Sequence, residues 1–123
     1  MKTITIHRVE HREEYHGPYL DNDRDTYYEI PGLHQAHGSS KSHPGPRMDE
    51  EIGWAFGVEH SFGFGSREQL DKWFKGFKRK LAAKDFVIRV YEAPFDTTTV
   101  TDHQAIFIRD DSRLVDTLPM LRR

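Results

Sequence analysis

Cysteine is absent from this 123-residue chain. That excludes a disulfide framework and thiolate metal sites, and it fits a reducing compartment. No apolar run approaches the ~20 residues that a membrane-spanning helix needs. The opening Met1-Lys2-Thr3-Ile4-Thr5-Ile6-His7-Arg8 is too short and alternating for a signal peptide. A soluble protein with no membrane partner is expected. A large excess of one charge is missing too: the formal net charge is −2, which argues against a dedicated nucleic-acid binder. The sequence contains neither internal repeats nor low-complexity tracts, and its length suits one domain over 1–123.

The charge that is present is unevenly placed. Residues 1–65 carry 6 Lys+Arg against 11 Asp+Glu, and residues 66–123 carry 12 against 9. An acidic front half and a basic back half favour a polar cleft or a charged protein partner.

The clearest local signal runs from Ser61 to Leu81. An aromatic, glycine-rich strand leads into an amphipathic helix expected over about 66–83. Leu70, Trp73, Phe74, Phe77 and Leu81 share one stripe at helical spacing. Ser66 is a good N-cap, and Gln69 has the spacing of a capping box. The basic cluster Lys78, Arg79, Lys80 and Lys84 suits the carbonyl end of that helix.

Thr3 to Val9 alternates as a strand, with Ile4 and Ile6 facing the core and Arg8 on the same face. An arginine closing a core-facing row must pair with a carboxylate such as Glu10 or Glu92, or enter a cleft. Residues 10–47 lose periodicity and form a long irregular loop, within which only Thr26 to Ile30 is strand-like. Met48 to Trp54 suggests a short helix, and Ala55 to Phe64 an extended segment. Phe86 to Glu92 is the clearest strand, His103 to Arg109 another, and Asp111 to Leu118 reads as a short terminal helix stopped by Pro119. The expected fold is α+β, a small, largely antiparallel sheet carrying one main helix.

Eight histidines raise the question of metal. His34, His37 and His43 lie in the irregular loop with no rigid element to align them and no neighbouring Asp or Glu to complete a set, so no metal site is expected. A hydrolytic triad lacks its nucleophile elbow, and Gly63-Phe64-Gly65 lacks the lysine of a phosphate-binding loop. What remains is spatial. Arg8 (or His7), Ser61 and Ser66, Glu92 and Gln104 are candidates to share one cleft, with the arginine gripping diphosphate and the carboxylate facing a ribose.

Ile6-His7-Arg8-Val9-Glu10-His11, Gly17-Pro18-Tyr19, His43-Pro44-Gly45-Pro46, Phe62 to Leu70, Trp73-Phe74 and Val90-Tyr91-Glu92 together resemble small uncharacterised proteins of tailed-phage genomes. That resemblance brings no established activity; small size, the absence of cysteine and the long decorated loop suit a phage accessory protein of the host cytoplasm that binds and inhibits or modulates a host or defence protein without catalysis, in host takeover or anti-defence. Large loop aromatics, Tyr15, Tyr19 and Tyr27, are candidate anchors for such a partner.

The order of elements is also similar to minimal ADP-ribosyltransferases. This similarity implies NAD as cofactor, held by Arg8 or His7, with Ser61 beside the nicotinamide ribose. The family's final motif is not matched, since Gln104-Ala105-Ile106 stands where its glutamate is expected, and Glu92 would be a substitute acid.

Overall fold

The computed structural model describes residues 2–15, 17–18 and 60–121. Most of the irregular loop lies outside them. So do the expected elements at 26–30 and 48–54, the loop histidines His34, His37 and His43, and the aromatics Tyr19 and Tyr27.

The described residues form six strands, two consecutive short helices and two 3-10 turns. Strand β1 (Thr3–His11) pairs antiparallel with β3 (Phe86–Pro94), which pairs antiparallel with β6 (Arg113–Pro119). A second antiparallel set has β5 (Ala105–Phe107) between β2 (Ser61–Gly63) and β4 (Thr99–Val100).

Among the described residues a bridge stitches the two sets together. His7 and Phe64 exchange backbone hydrogen bonds of 2.8 and 2.7 Å. Gly63 permits this close approach: a Cβ there would lie 2.8 Å from Ile6 Cγ2 and 2.9 Å from the His7 carbonyl oxygen.

Strand alternation sorts side chains onto two faces. In the β1–β3 register, Val9 lies opposite Ile88 and His11 opposite Phe86, and this face carries the helices. Helix α1 (Arg67–Trp73) and helix α2 (Lys78–Ala83) press Leu70, Trp73, Phe74 and Leu81 against Val9, Phe64, Phe86, Ile88 and Met120. The other face carries Ile4, Ile6, Arg8 and Glu10 of β1 beside Ala93, Tyr91 and Arg89 of β3. Ala105 and Phe107 of β5 cover its apolar half, packing on Ile6, Tyr91 and Ala93. The Arg8–Glu10 end continues past that cover.

The expected α+β fold is present, with three differences in detail. The helix anticipated over 66–83 is interrupted at 74–77, where Gly76 takes φ +90°, a left-handed conformation disfavoured for other residues. The apolar stripe survives because the Phe77 N–H bonds the Phe74 carbonyl at 2.9 Å, keeping both pieces on one face.

The expected terminal helix at 111–118 is instead strand β6, preceded by a single 3-10 turn at Arg109–Asp111. Strand β3 is buried along nearly its whole length, so its backbone needs partners on both edges, and β6 supplies the second. The strand expected over 103–109 contracts to Ala105–Phe107. Residues 101–104 form a turn in which the Thr101 N–H reaches the Gln104 carbonyl at 2.8 Å.

Candidate functional site

On the helix-free face three arginines converge on one carboxylate. Glu10 is fully buried. Its Oε2 lies 2.8 Å from Arg8 Nε and 2.8 Å from Arg109 Nε, and its Oε1 lies 3.5 Å from Arg89 Nη1. The Tyr91 hydroxyl donates to Glu10 Oε1 at 2.6 Å and accepts from Arg109 Nε at 3.0 Å.

Strand register explains the convergence. Arg8 and Arg89 are directly opposed across the β1–β3 pair, a destabilising juxtaposition of like charges. Glu10, two residues along the same face, sits diagonal to Arg89 and offsets it. Arg109 arrives from the 3-10 turn that precedes β6.

Two of the guanidiniums are also tied to backbone. Arg8 Nη1 donates to the Phe62 carbonyl at 2.8 Å, and Arg89 Nη2 to the Arg12 carbonyl at 2.7 Å. Arg89 is only 4% exposed, and among the described residues its Nε and Nη1 have no hydrogen-bond acceptor, Nη1 keeping only the 3.5 Å ion pair with Glu10. The Tyr15 ring lies over Arg89, 4.1 Å from the guanidinium carbon to the ring centre, and 5.5 Å from Arg109. Tyr15 holds φ +64°, an uncommon backbone state for an aromatic residue.

Burial, reinforced by the hydrogen bond to Glu10, pushes the Tyr91 hydroxyl up to about 12. For Arg109, burial works against the charge, but the Tyr91 hydrogen bond and the nearby Glu10 prevail and raise its pKa. Among the described residues, three arginines against one glutamate leave a formal excess of two positive charges.

Of the residues expected to share a cleft, Arg8 alone belongs to this cluster. His7 points to the opposite, helix-bearing face. Burial and then the Arg67 charge lower its pKa, partly countered by Glu68 and Asp71. Ser61 pairs with Phe107 in the β2–β5 ladder. Ser66 caps α1, accepting from the Gln69 N–H at 3.1 Å. Gln69 returns its side chain to the Gly65 N–H at 3.0 Å, one residue earlier than a capping box requires.

Gln104 closes the β4–β5 turn, its N–H donating to Thr101 Oγ1 at 3.2 Å. Glu92 pairs with Thr5, on the opposite face from Arg8, and accepts from the exposed Arg113 at 3.0 Å. It lines a separate open cavity of about 300 Å³ with Thr3, Pro94, Asp110, Asp111, Ser112 and Arg113. The register therefore does not bring Glu92 to Arg8.

Sequence reasoning offered Glu10 only as a counter-ion for Arg8 and passed over Arg89, Tyr91 and Arg109. The usable signal was Arg89 itself, a lone charge inside the apolar run Phe86-Val87-Ile88-Arg89-Val90-Tyr91. Among the described residues no group of three or more His, Asp and Glu could hold a metal ion, and no helix is long and apolar enough to cross a membrane.

These features define a small α+β protein with a helix-covered sheet face and an arginine-rich opposite face. The chain belongs to the bacteriophage T4 Y00F protein family, whose model matches residues 1–121. Over 63 residues it is 36% identical to an Enterobacteria phage T4 protein described as "Uncharacterized 19.7 kDa protein in motB-dexA intergenic region". The match covers 50% of this chain and 37% of that protein, so the chain spans little more than a third of its relative's length. No solved structure matches.

Proposed function

We propose that this phage protein is an accessory factor that binds a host or defence protein and modulates it without catalysis, using strand β6 as its docking edge. The observation that carries this reading is the exposure of β6. Among the described residues β6 pairs with β3 alone, and Arg113 to Thr117 are all exposed. Leu114 is 42% and Val115 40% exposed, and Leu121 just beyond the strand is 40% exposed. A seven-residue edge strand with exposed aliphatic side chains is suited to accept a strand from another protein, main chain giving affinity and side chains giving selectivity.

The arginine cluster supports binding over chemistry. Guanidinium groups do not deprotonate in proteins, and the Tyr91 hydroxyl, at about 12, holds its proton at neutral pH. The cluster is thus an array of donors. A transferase built on Arg8 and Glu92 would need both in one cleft, and their positions on opposite faces of the β1–β3 pair favour the binding reading.

The test is a photo-crosslinking side chain placed at Val115 in infected cells, with a control at the exposed Lys72 on α1. The expected result is an adduct with one cellular protein from position 115 only, lost when the neighbouring Leu114→Lys change is added. Adducts that form equally from both positions, or only with a second copy of the chain, would overturn the proposal.

A further inference from the structure

We infer that the cluster of Arg8, Arg89 and Arg109 is a binding site for a phosphomonoester dianion, reached by displacement of the Tyr15 ring. This site lies on the sheet face beside β6, and its test is read independently of docking at that strand.

Two independent observations meet here. The first is charge. Among the described residues the three guanidinium groups face one counter-ion, Glu10, leaving an excess of two. A carboxylate would neutralise half of that excess, whereas a phosphomonoester carries about −1.5 to −2 at pH 7. The second is the unmet donors. Among the described residues Arg89 Nε is buried without an acceptor and Nη1 has only the long 3.5 Å approach to Glu10 Oε1, and such groups are costly to leave unsatisfied.

Glu10 holds the array ready. It takes Nε of both Arg8 and Arg109, which fixes both planes while committing only one nitrogen of each to the carboxylate. A tetrahedral oxyanion presents enough oxygen atoms to engage several guanidiniums at once, the geometry for which arginine is favoured over lysine.

Among the described residues Tyr15 covers Arg89, and Gly17 lies close to the Arg8 guanidinium. Tyr15 is nonetheless 42% exposed and sits in the left-handed region at φ +64°. The ring is thus a partly solvent-exposed cover, held over Arg89 by a cation–π contact that an incoming anion must displace.

The experiment follows the Nε–Hε signals of the arginines by NMR in the full chain. Sodium phosphate is titrated against sodium chloride at equal ionic strength. Saturable shifts of Arg89 and Arg109 at millimolar phosphate, absent with chloride, are expected. Dimethyl phosphate, a monoanion, should bind more weakly than methyl phosphate, which separates a terminal phosphate from a diester backbone.

Tyr15→Gly, which removes the cover and suits the positive φ, should bind phosphate at least as tightly. Arg109→Gln should weaken binding by roughly tenfold to a hundredfold, the loss of charge-assisted hydrogen bonds. Crosslinking from Val115 reads the docking edge without phosphate, and the arginine signals read this site without a partner protein, so failure of this site and failure of the docking edge are told apart. Arginine signals that move alike in both salts, or not at all in either wild type or Tyr15→Gly, would overturn the inference.

Discussion

Replacing Glu10 by glutamine keeps the shape of the side chain and removes the only counter-ion that the described residues supply to three arginines. The amide nitrogen of the new side chain would then present a donor to groups that are themselves donors, namely Tyr91 and the guanidiniums. Breaking a buried ion pair by removing one partner costs about 3–5 kcal/mol. Arg89 is buried, with its side chain 4% exposed, but that of Arg109 is 32% exposed and water can screen it in part. The lower end, about 3 kcal/mol, is therefore expected.

Urea unfolding followed by tryptophan fluorescence reads this directly. At a slope of about 2 kcal/mol per M, the midpoint should fall by about 1.5 M. Glu92→Gln is the matched control, since its partner Arg113 is 72% exposed and the pair should contribute under about 1 kcal/mol. A Glu10→Gln loss no larger than that of Glu92→Gln would refute the view that Glu10 holds the arginines in place.

Two further outcomes follow from the fold. Gly63→Ala should destabilise by about 1–3 kcal/mol in the same assay, because its Cβ meets a backbone carbonyl at 2.9 Å. Gly65→Ala, whose nearest contact is the side chain of the 40% exposed Val100 rather than backbone, should cost less. For His7, burial lowers the folded-state pKa below 6.5, so the unfolded chain binds the proton more readily. Its contribution is fully present above pH 6.5 and is lost as pH falls from there through the lowered folded-state value. Denaturation midpoints measured across that window should fall with pH in wild type and less steeply in His7→Gln.

Much of the frame could be read from pattern. Alternation in Thr3 to Val9 placed Ile4, Ile6 and Arg8 on one face, and the stripe from Leu70 to Leu81 located the helical layer. Two local features were hidden by ambiguity of period. Gly76 breaks the helix without breaking the stripe, so the apolar spacing alone is blind to it. Residues 113–119 have no strong alternation and become a strand because β3 has an edge to satisfy, a tertiary demand absent from the local sequence.

The site was harder still. Arg8 stood out because it ended an apolar row. Its companions arrive from β3 and the 3-10 turn by register, and a one-residue slip would have exchanged Arg89 for a residue of the other face. Glu92 illustrates the same point from the other side: near Arg8 along a plausible sheet, yet pointing away from it.

The docking edge can be tested most directly by amide hydrogen exchange of the chain with and without the protein captured through position 115. Pairing of a partner strand with β6 predicts slowed exchange at amides within 113–118, with little change in α1. Protection confined to other segments, with β6 exchanging as fast as in the free protein, would contradict the account.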